Sequence, residues 1–300
     1  LMEGIMLVGP KKATAAFSDE KGYITTEATE FDSILKKHPI LANPFLRGIF
    51  AMVESLRRGY KALFLTADKF TGEDEEEVLS GLDKWLNDHL GEKATGVIMG
   101  VGSVLGVALS VLLFFMLPTF LFNLLSSSVS ADIAGWRSLF EGALRIIIFL
   151  AYLFLISLMP DIKRTFMYHG AEHKCIFCYE AELPLTVENV RKQSRFHPRC
   201  GTSFMFLMLA ISIIVGFFIP FTQPVARTAA KLLTIPIIIN LGFELLRLCG
   251  KYDNLLIRII ATPGRWVQRL TTKEPDDKMI EAAIAALESV IPENGEDIGA

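Results

Sequence analysis

Tyr168-His169-Gly170-Ala171-Glu172-His173-Lys174-Cys175-Ile176-Phe177-Cys178-Tyr179-Glu180 opens a polar segment that closes with Phe196-His197-Pro198-Arg199-Cys200-Gly201-Thr202-Ser203-Phe204. Three of the five histidines and three of the four cysteines fall inside it. Apolar runs of membrane-crossing length flank it, at about 139–159 and 203–221. A ligand-rich polar segment between such runs is expensive to keep unless it acts. It sets the expected fold class: a mainly α, polytopic membrane protein carrying a site.

Metal binding is the first reading of this segment. His169 and His173 are four residues apart, so a helix puts them on one face. With Glu172 they form His-x-x-Glu-His, the inverted zinc-hydrolase signature, in which the histidines are ligands and the glutamate is the general base. At 100° per residue, Ile176 and Glu180 share the histidine face and Cys178 points to the opposite side. Glu180 is thus a candidate third ligand. A competing reading takes Cys175-x-x-Cys178 with His197-x-x-Cys200 as a closed structural zinc site.

Composition agrees with a membrane protein that carries water-facing segments. Of 300 residues, 51% are hydrophobic and 21% charged, and the mean hydropathy is +0.41. A net charge of −3 gives no electrostatic case for nucleic acid. Four cysteines, two of them in Cys-x-x-Cys, suit a reducing compartment and metal better than disulfides. The run Leu1–Val8 is too short for a secretory signal, and a chain opening on Leu suggests upstream residues or a non-standard start codon.

Residues 1–30 read as a small β-hairpin or three-stranded piece, with Ser18-Asp19-Glu20-Lys21 as a turn and Glu3 in the first strand. Pro44 is placed to open a helix whose apolar stripe is Phe45, Ile49, Met52, Val53, Leu56, Tyr60, Leu63 and Phe64. Arg47, Glu54, Arg57, Arg58 and Lys61 take its other side. That helix either lies at a membrane interface or packs on its own domain. Thr71–Glu77 is an acidic linker and helix start.

Four spans are expected, at about 96–117 (or on to 125), 139–159, 203–221 and 232–249. The 160–202 loop holds seven Lys and Arg, including Lys163, Arg164, Arg195 and Arg199, against Arg137, Arg227 and Lys231 in the other two loops. This orients both termini and the motif loop toward the cytoplasm. Arg145, Glu244 and Arg247 fall inside spans, where such groups pair or line a polar cavity. Glu141 with Arg145, and Glu244 with Arg247, are the simplest pairs, and Glu244 is also at a depth from which it could approach the metal loop. The division is then 1–95, a cytosolic or interfacial region of β-hairpin and amphipathic helices; 96–159, spans one and two; 160–202, the cytosolic metal-motif loop; 203–249, spans three and four; and 250–300, a cytosolic helical tail. In that tail, apolar Ile280, Ile284, Leu287 and Val290 predict a helix packed on the cytosolic portion.

The segment Met2-Glu3-Gly4-Ile5-Met6 with Gly9-Pro10, the two long motifs, Phe243-Glu244-Leu245-Leu246-Arg247 and Gln268–Pro275 together resemble the YqhQ-like bacterial membrane proteins. These form a family of unknown function labelled as predicted metal-dependent enzymes. The resemblance implies a shared polar set of His169, Glu172, His173, Cys178, Glu180, His197 and Cys200. It does not require cysteine at 175, which weakens the closed Cys-x-x-Cys reading. Two departures stand out: Val8 where the family commonly has Arg, and no Gly-Gly-Gln-Ala stretch ahead of the first motif.

The leading functional expectation is a zinc hydrolase of the cytoplasmic membrane, using Zn²⁺ or another divalent transition metal. His169 and His173 with one of Glu180, His197 or Cys200 would hold the ion, and Glu172 would take a proton from water. The substrate class is a lipid or membrane-associated peptide at the cytosolic face. One alternative is a membrane scaffold with a structural zinc site. Another is transport, with Glu244, Arg247 and Arg145 lining a path, which four spans would support only as a homo-oligomer. Membrane lipids are the expected partners.

Overall fold

In the computed structural model the described residues are 4–9, 11–18, 23–30, 33–70, 94–129, 133–252 and 254–291. The chain divides into two compact units. The first comprises Leu1–Thr66, Leu150–Ser212 and Ile235–Ala300, and the second Ala67–Phe149 and Ile213–Thr234.

The first unit starts with three antiparallel strands in the order β1 (Gly4–Val8), β2 (Lys12–Ser18), β3 (Ile24–Glu30). The three-stranded alternative is therefore the one that forms. Residues 19–22, which hold most of the expected turn, lie outside the described residues, as does Thr71–Glu77. Alternation decides which face is buried: Ile5 and Leu7 are buried, while Met6 is half-buried and Val8 exposed. Register pairs Ile5 with Ala16 and Leu7 with Thr14, so all four share the covered face.

The cover is the last helix. Short helix α1 (Ile34–Lys37), α2 (Arg47–Phe70), α3 (Ala94–Val111), α4 (Leu117–Ser128), α5 (Arg137–Ile156), α6 (Pro160–Glu180), α7 (Val187–Arg191), α8 (Gly201–Gly216), α9 (Pro224–Lys251) and α10 (Leu255–Thr271) precede α11 (Asp277–Val290). Asp276 caps α11 by accepting from the Met279 N–H at 2.9 Å. Ile280, Leu287 and Val290 are buried as their spacing predicts, and Met279, Ala283 and Ala286 join them. Each buried large aliphatic contributes about 1.5–3 kcal/mol. Their partners are the sheet and the Tyr168, Ala171, Cys175 and Cys178 face of α6.

Helix α6 opens with Pro160 in its first turn. It is closed by Glu182 in the left-handed region, φ 54°, with the Leu183 N–H returning to the Cys178 carbonyl at 3.1 Å. Helix α2 starts at Arg47 rather than Pro44, because Asn43 accepts from the Phe45 N–H and holds Pro44 in a turn. Asn240 of α9 fixes this start: its side chain accepts from the Gly48 N–H at 3.0 Å and donates to the Pro44 carbonyl at 2.6 Å. Of the α2 stripe, Ile49 and Met52 are half-buried. Phe45, Val53, Leu56 and Tyr60 are exposed, while Gly48, Glu54 and Ala62 are buried.

In the second unit, α3 and α4 join through a π turn at Leu112–Met116 into one long apolar helix. Pro118 has no N–H to give the Phe114 carbonyl. Arg145 of α5 supplies one instead, its Nε donating to that carbonyl at 2.8 Å. Glu141 lies within electrostatic range of Arg145. Glu141 accepts from Arg227 Nε, at 3.0 and 2.9 Å to its two oxygens, and from Lys231 Nζ at 2.6 Å. Arg227 also donates to the Gly216, Ile219 and Phe221 carbonyls, which end α8 and its following loop.

Among the described residues, three helices are long and apolar enough to cross a membrane: Gly100–Ser128, Ala134–Ile156 and Pro224–Lys251. The stretch read as a span at 203–221 is helical only over the 16 residues Gly201–Gly216. At 1.5 Å per residue that is about 24 Å, short of a hydrocarbon core of about 30 Å.

Candidate metal centre

The i, i+4 spacing on α6 brings the rings of His169 and His173 to 4.4 Å, centroid to centroid. Each ring is held from behind by a main-chain carbonyl. His169 Nδ1 lies 2.8 Å from the Thr271 oxygen and His173 Nδ1 lies 2.6 Å from the Arg195 oxygen. A carbonyl can only accept, so both Nδ1 atoms carry a proton, and Nε2 is the nitrogen each ring would offer to a metal once any proton on it is displaced. Cys200 completes the cluster. The ligand atoms of His169, His173 and Cys200 all lie within 4.8 Å of one another.

Cys200 is buried just ahead of α8, and its sulfur accepts from the Thr202 N–H at 3.4 Å in that helix's first turn. Burial pushes the thiol up. The hydrogen bonds from His169 and His173 and their charge outweigh it and bring the thiol down to about 5. His169 Nε2 is 3.2 Å from the sulfur. Burial lowers this imidazole, but the thiolate, Glu172 and the Thr271 carbonyl raise it to about 9. Without metal, the pair is a thiolate beside an imidazolium.

Glu172 stands next to this cluster and, among the described residues, has no hydrogen-bond or ion-pair partner. It does not pair with Lys174 or Arg199. Lys174 Nζ goes to the Arg191 carbonyl and to Glu274, each at 2.9 Å. Arg199 goes to Glu180. Burial pushes the Glu172 carboxyl up, against the pull of His169 and His173. Glu172 lines a cavity of about 680 Å³ together with His169, His173, Glu180, His197, Arg199, Cys200 and residues of β1 and α11.

His197 and Glu180 stand at the rim of the cluster. His197 Nε2 is 3.3 Å from Glu180, and its Nδ1 accepts from the Arg199 N–H at 3.2 Å. Both ring nitrogens are thus engaged. Hydrogen bonds from His197 and Arg199 hold the Glu180 carboxyl below its usual range against the cost of burial. Cys178 is not brought to the cluster. Its thiol lies in the core, 3.6 Å from the Pro184 carbonyl. Cys175 is fully buried in the same core, and burial pushes its thiol up to about 12. The Cys-x-x-Cys pair therefore packs, and does not assemble with His197 and Cys200.

Glu244 does not approach the cluster, and Arg247 is not its hydrogen-bonded partner. Glu244 forms a two-pronged ion pair with Arg47 of α2, with Arg247 within electrostatic range. Glu3 lies outside the described residues.

Three supports were given no role of their own by the sequence. Gln268 is fully buried. Its Nε2 donates to the His197 carbonyl at 2.7 Å and to Ser203 Oγ at 2.9 Å, and its Oε1 accepts from the His197 N–H at 2.8 Å. It clamps the turn that delivers Cys200. Gly170 lets the chain after α10 lie on α6: an added Cβ would sit 2.0 Å from the Lys273 carbonyl oxygen. Gly250 makes room in the same way for Arg199, whose Cδ would be 2.6 Å from an added Cβ.

Residues 43–293 match the family described as Protein of unknown function (DUF1385). The chain is 34% identical over 306 residues to the Uncharacterized protein YqhQ of Bacillus subtilis (strain 168), covering 97% of this chain and 90% of that protein. No solved structure matches.

Proposed function

The chain belongs to the DUF1385 family, whose function is unknown, and we propose that it is a metal-dependent hydrolase embedded in the cytoplasmic membrane. One observation carries the reading: two histidines with Nδ1 tied to carbonyls aim Nε2 at the sulfur of Cys200. Two imidazoles and a thiolate suit Zn²⁺ or a similar divalent transition metal. They leave one position of a tetrahedral set open, since His197 is engaged at both nitrogens. That open position favours catalysis over a structural site or scaffold. A divalent ion held there would act as a Lewis acid and make water acidic enough to supply a nucleophile near neutral pH. Glu172, without a hydrogen-bond or ion-pair partner among the described residues and on the cavity wall, is the base that receives the proton. A transport path is less well supported, because Glu244 is held by Arg47 of α2 and Arg145 by the Phe114 carbonyl.

Three apolar helices support the membrane location. The basic excess of the 160–202 loop supports a cytosolic site. With Glu188→Cys in that loop, a membrane-impermeant thiol reagent should label only after spheroplasts are lysed. Labelling of intact spheroplasts would reverse the topology. For the metal, purified protein should carry one equivalent of transition metal and lose it in the His169→Ala/His173→Ala double variant. Retention of stoichiometric metal in that variant would sink the reading.

The 3.2 Å contact between His169 and Cys200 favours one second reading, a thiolate nucleophile with His169 as its acid–base partner. Chelator-resistant activity that vanishes in Cys200→Ser would select it.

A further inference from the structure

The strand that forms one wall of the metal cavity is a sheet edge. Among the described residues, β1 pairs with β2 alone. The hairpin closes with the Gly9 N–H on the Lys12 carbonyl at 2.8 Å, which makes that a hydrogen-bonded pair. In an antiparallel ladder such pairs alternate with non-bonded ones. Leu7 and Ile5 therefore exchange hydrogen bonds with Thr14 and Ala16, their partners in the register. Gly4, Met6 and Val8 turn their N–H and C=O groups away from β2.

A groove follows that free edge. The 680 Å³ cavity is lined by Met6, Leu7 and Val8 on one side and by His169, Glu172 and Ile176 on the other. A second cavity of about 310 Å³ continues along Gly4, Ile5 and Met6 toward Gly59 and Ala62 of α2. The two share Met6, His169 and Glu172 as walls. They meet opposite the middle of the strand, beside the metal cluster. Five strand residues span about 17 Å, room for an added strand of similar length.

We propose that this groove binds an extended polypeptide as a fourth strand on the free edge of β1, so that a peptide bond lies across His169, His173 and Cys200. This rests on the hydrolase reading and narrows its substrate from lipid or peptide to peptide. A lipid acyl chain laid in the groove would cover the Met6 and Val8 main-chain groups without satisfying them, a loss of about 1–3 kcal/mol per group. A peptide pairs with them, and main-chain pairing of this kind gives affinity with broad sequence tolerance. Hydrolysis then balances simply. Water oxygen bonds to the carbonyl carbon, the C–N bond breaks with its electron pair going to nitrogen, and Glu172 passes the water proton to that nitrogen. The products are a carboxylic acid and an amine, which leave as carboxylate and ammonium once the acid proton passes to the amine.

The test uses full-length Glu172→Gln protein in detergent, so that binding is read without turnover. The probes are a pool of end-blocked, random-sequence ten-residue peptides and the same pool N-methylated at every second residue. Peptide binding should slow hydrogen exchange at the Met6 and Val8 amides. N-methylation should weaken binding about tenfold, as expected for losing two main-chain hydrogen bonds. Met6→Pro, which removes an N–H that is not paired with β2 and is tolerated at an edge, should abolish binding while bound metal stays stoichiometric. Protection of Met6 and Val8 by the pool, in a protein whose wild type cleaves nothing, would keep the groove and reject the hydrolase. No protection by either pool, equal binding of both pools, or full binding by metal-replete Met6→Pro would overturn the groove, even if the wild type hydrolyses a lipid.

Discussion

His169 Nε2 lies 3.2 Å from Cys200 Sγ, across 31 residues of sequence. The two reach this distance because separate elements hold them. The Thr271 carbonyl orients the imidazole and the first turn of α8 orients the sulfur. Whatever binds between His169, His173 and Cys200 links α6, α8 and the end of α10 at one point.

Glu172→Gln should keep metal and fold yet lose at least about 10²-fold in turnover, measured by complementation of a deletion strain and by metal content. The amide keeps the shape of the carboxylate but cannot take a proton at neutral pH. Full complementation by a metal-replete variant would reject Glu172 as the base.

Cysteine reactivity should separate the buried thiols. In metal-stripped protein, alkylation of Cys200 by iodoacetamide should rise as the pH passes about 5, where its thiolate forms, and level off toward neutrality. The depressed pKa also gives a sign for stability. The Cys200 thiolate stabilises the folded chain above the pKa of an unfolded thiol, and that contribution is lost as pH falls through about 5. Cys175, pushed up to about 12, should stay unmodified at neutral pH. Bound metal should protect Cys200. Equal labelling of the two cysteines, read by mass spectrometry, would contradict this.

Gly170→Ala places a methyl 2.0 Å from the Lys273 carbonyl oxygen. Neither the helix nor the crossing chain can yield cheaply, so a cost of about 3 kcal/mol is expected. Moving that chain also moves Thr271, whose carbonyl orients His169. Thermal unfolding and metal content should therefore fall together. A variant of unchanged melting temperature and full metal content would contradict the packing.

Glu141→Leu should be harsh in a different way. It leaves Arg227 and Lys231 buried without their carboxylate, at about 3–5 kcal/mol. The readout is thermal unfolding in detergent. A variant as stable as the parent would show that these cations find water or other partners.

Much of this was legible from spacing. His169 and His173 announce a shared helix face because four residues is one turn, and Ile280, Leu287 and Val290 announce the packed face of α11 for the same reason. Three of the expected apolar helices are visible as runs too long for anything but a span or a buried helix. That Cys200, rather than Glu180 or His197, comes to lie beside the two histidines was not legible, because it depends on how the 181–200 chain returns to α6. Gln268 was visible only as part of a family pattern. A buried amide clamping main-chain groups 71 residues away has no local signature. Arg195 and Thr271 act through their carbonyls, which every residue has. Glu244 with Arg47, in place of Arg247, shows the same limit: the nearer charge in sequence was not the nearer one in space.

The proposed site holds a metal on two histidines and one cysteine with a position left open. X-ray absorption at the metal edge of the purified, full-length protein reads that coordination. The expected spectrum is that of a four-coordinate first-row ion with two nitrogen neighbours at about 2.0–2.1 Å, one sulfur at about 2.3 Å and one light atom from solvent. A closed set of four protein ligands with two or more sulfurs, or a protein that binds no metal at all, would contradict it.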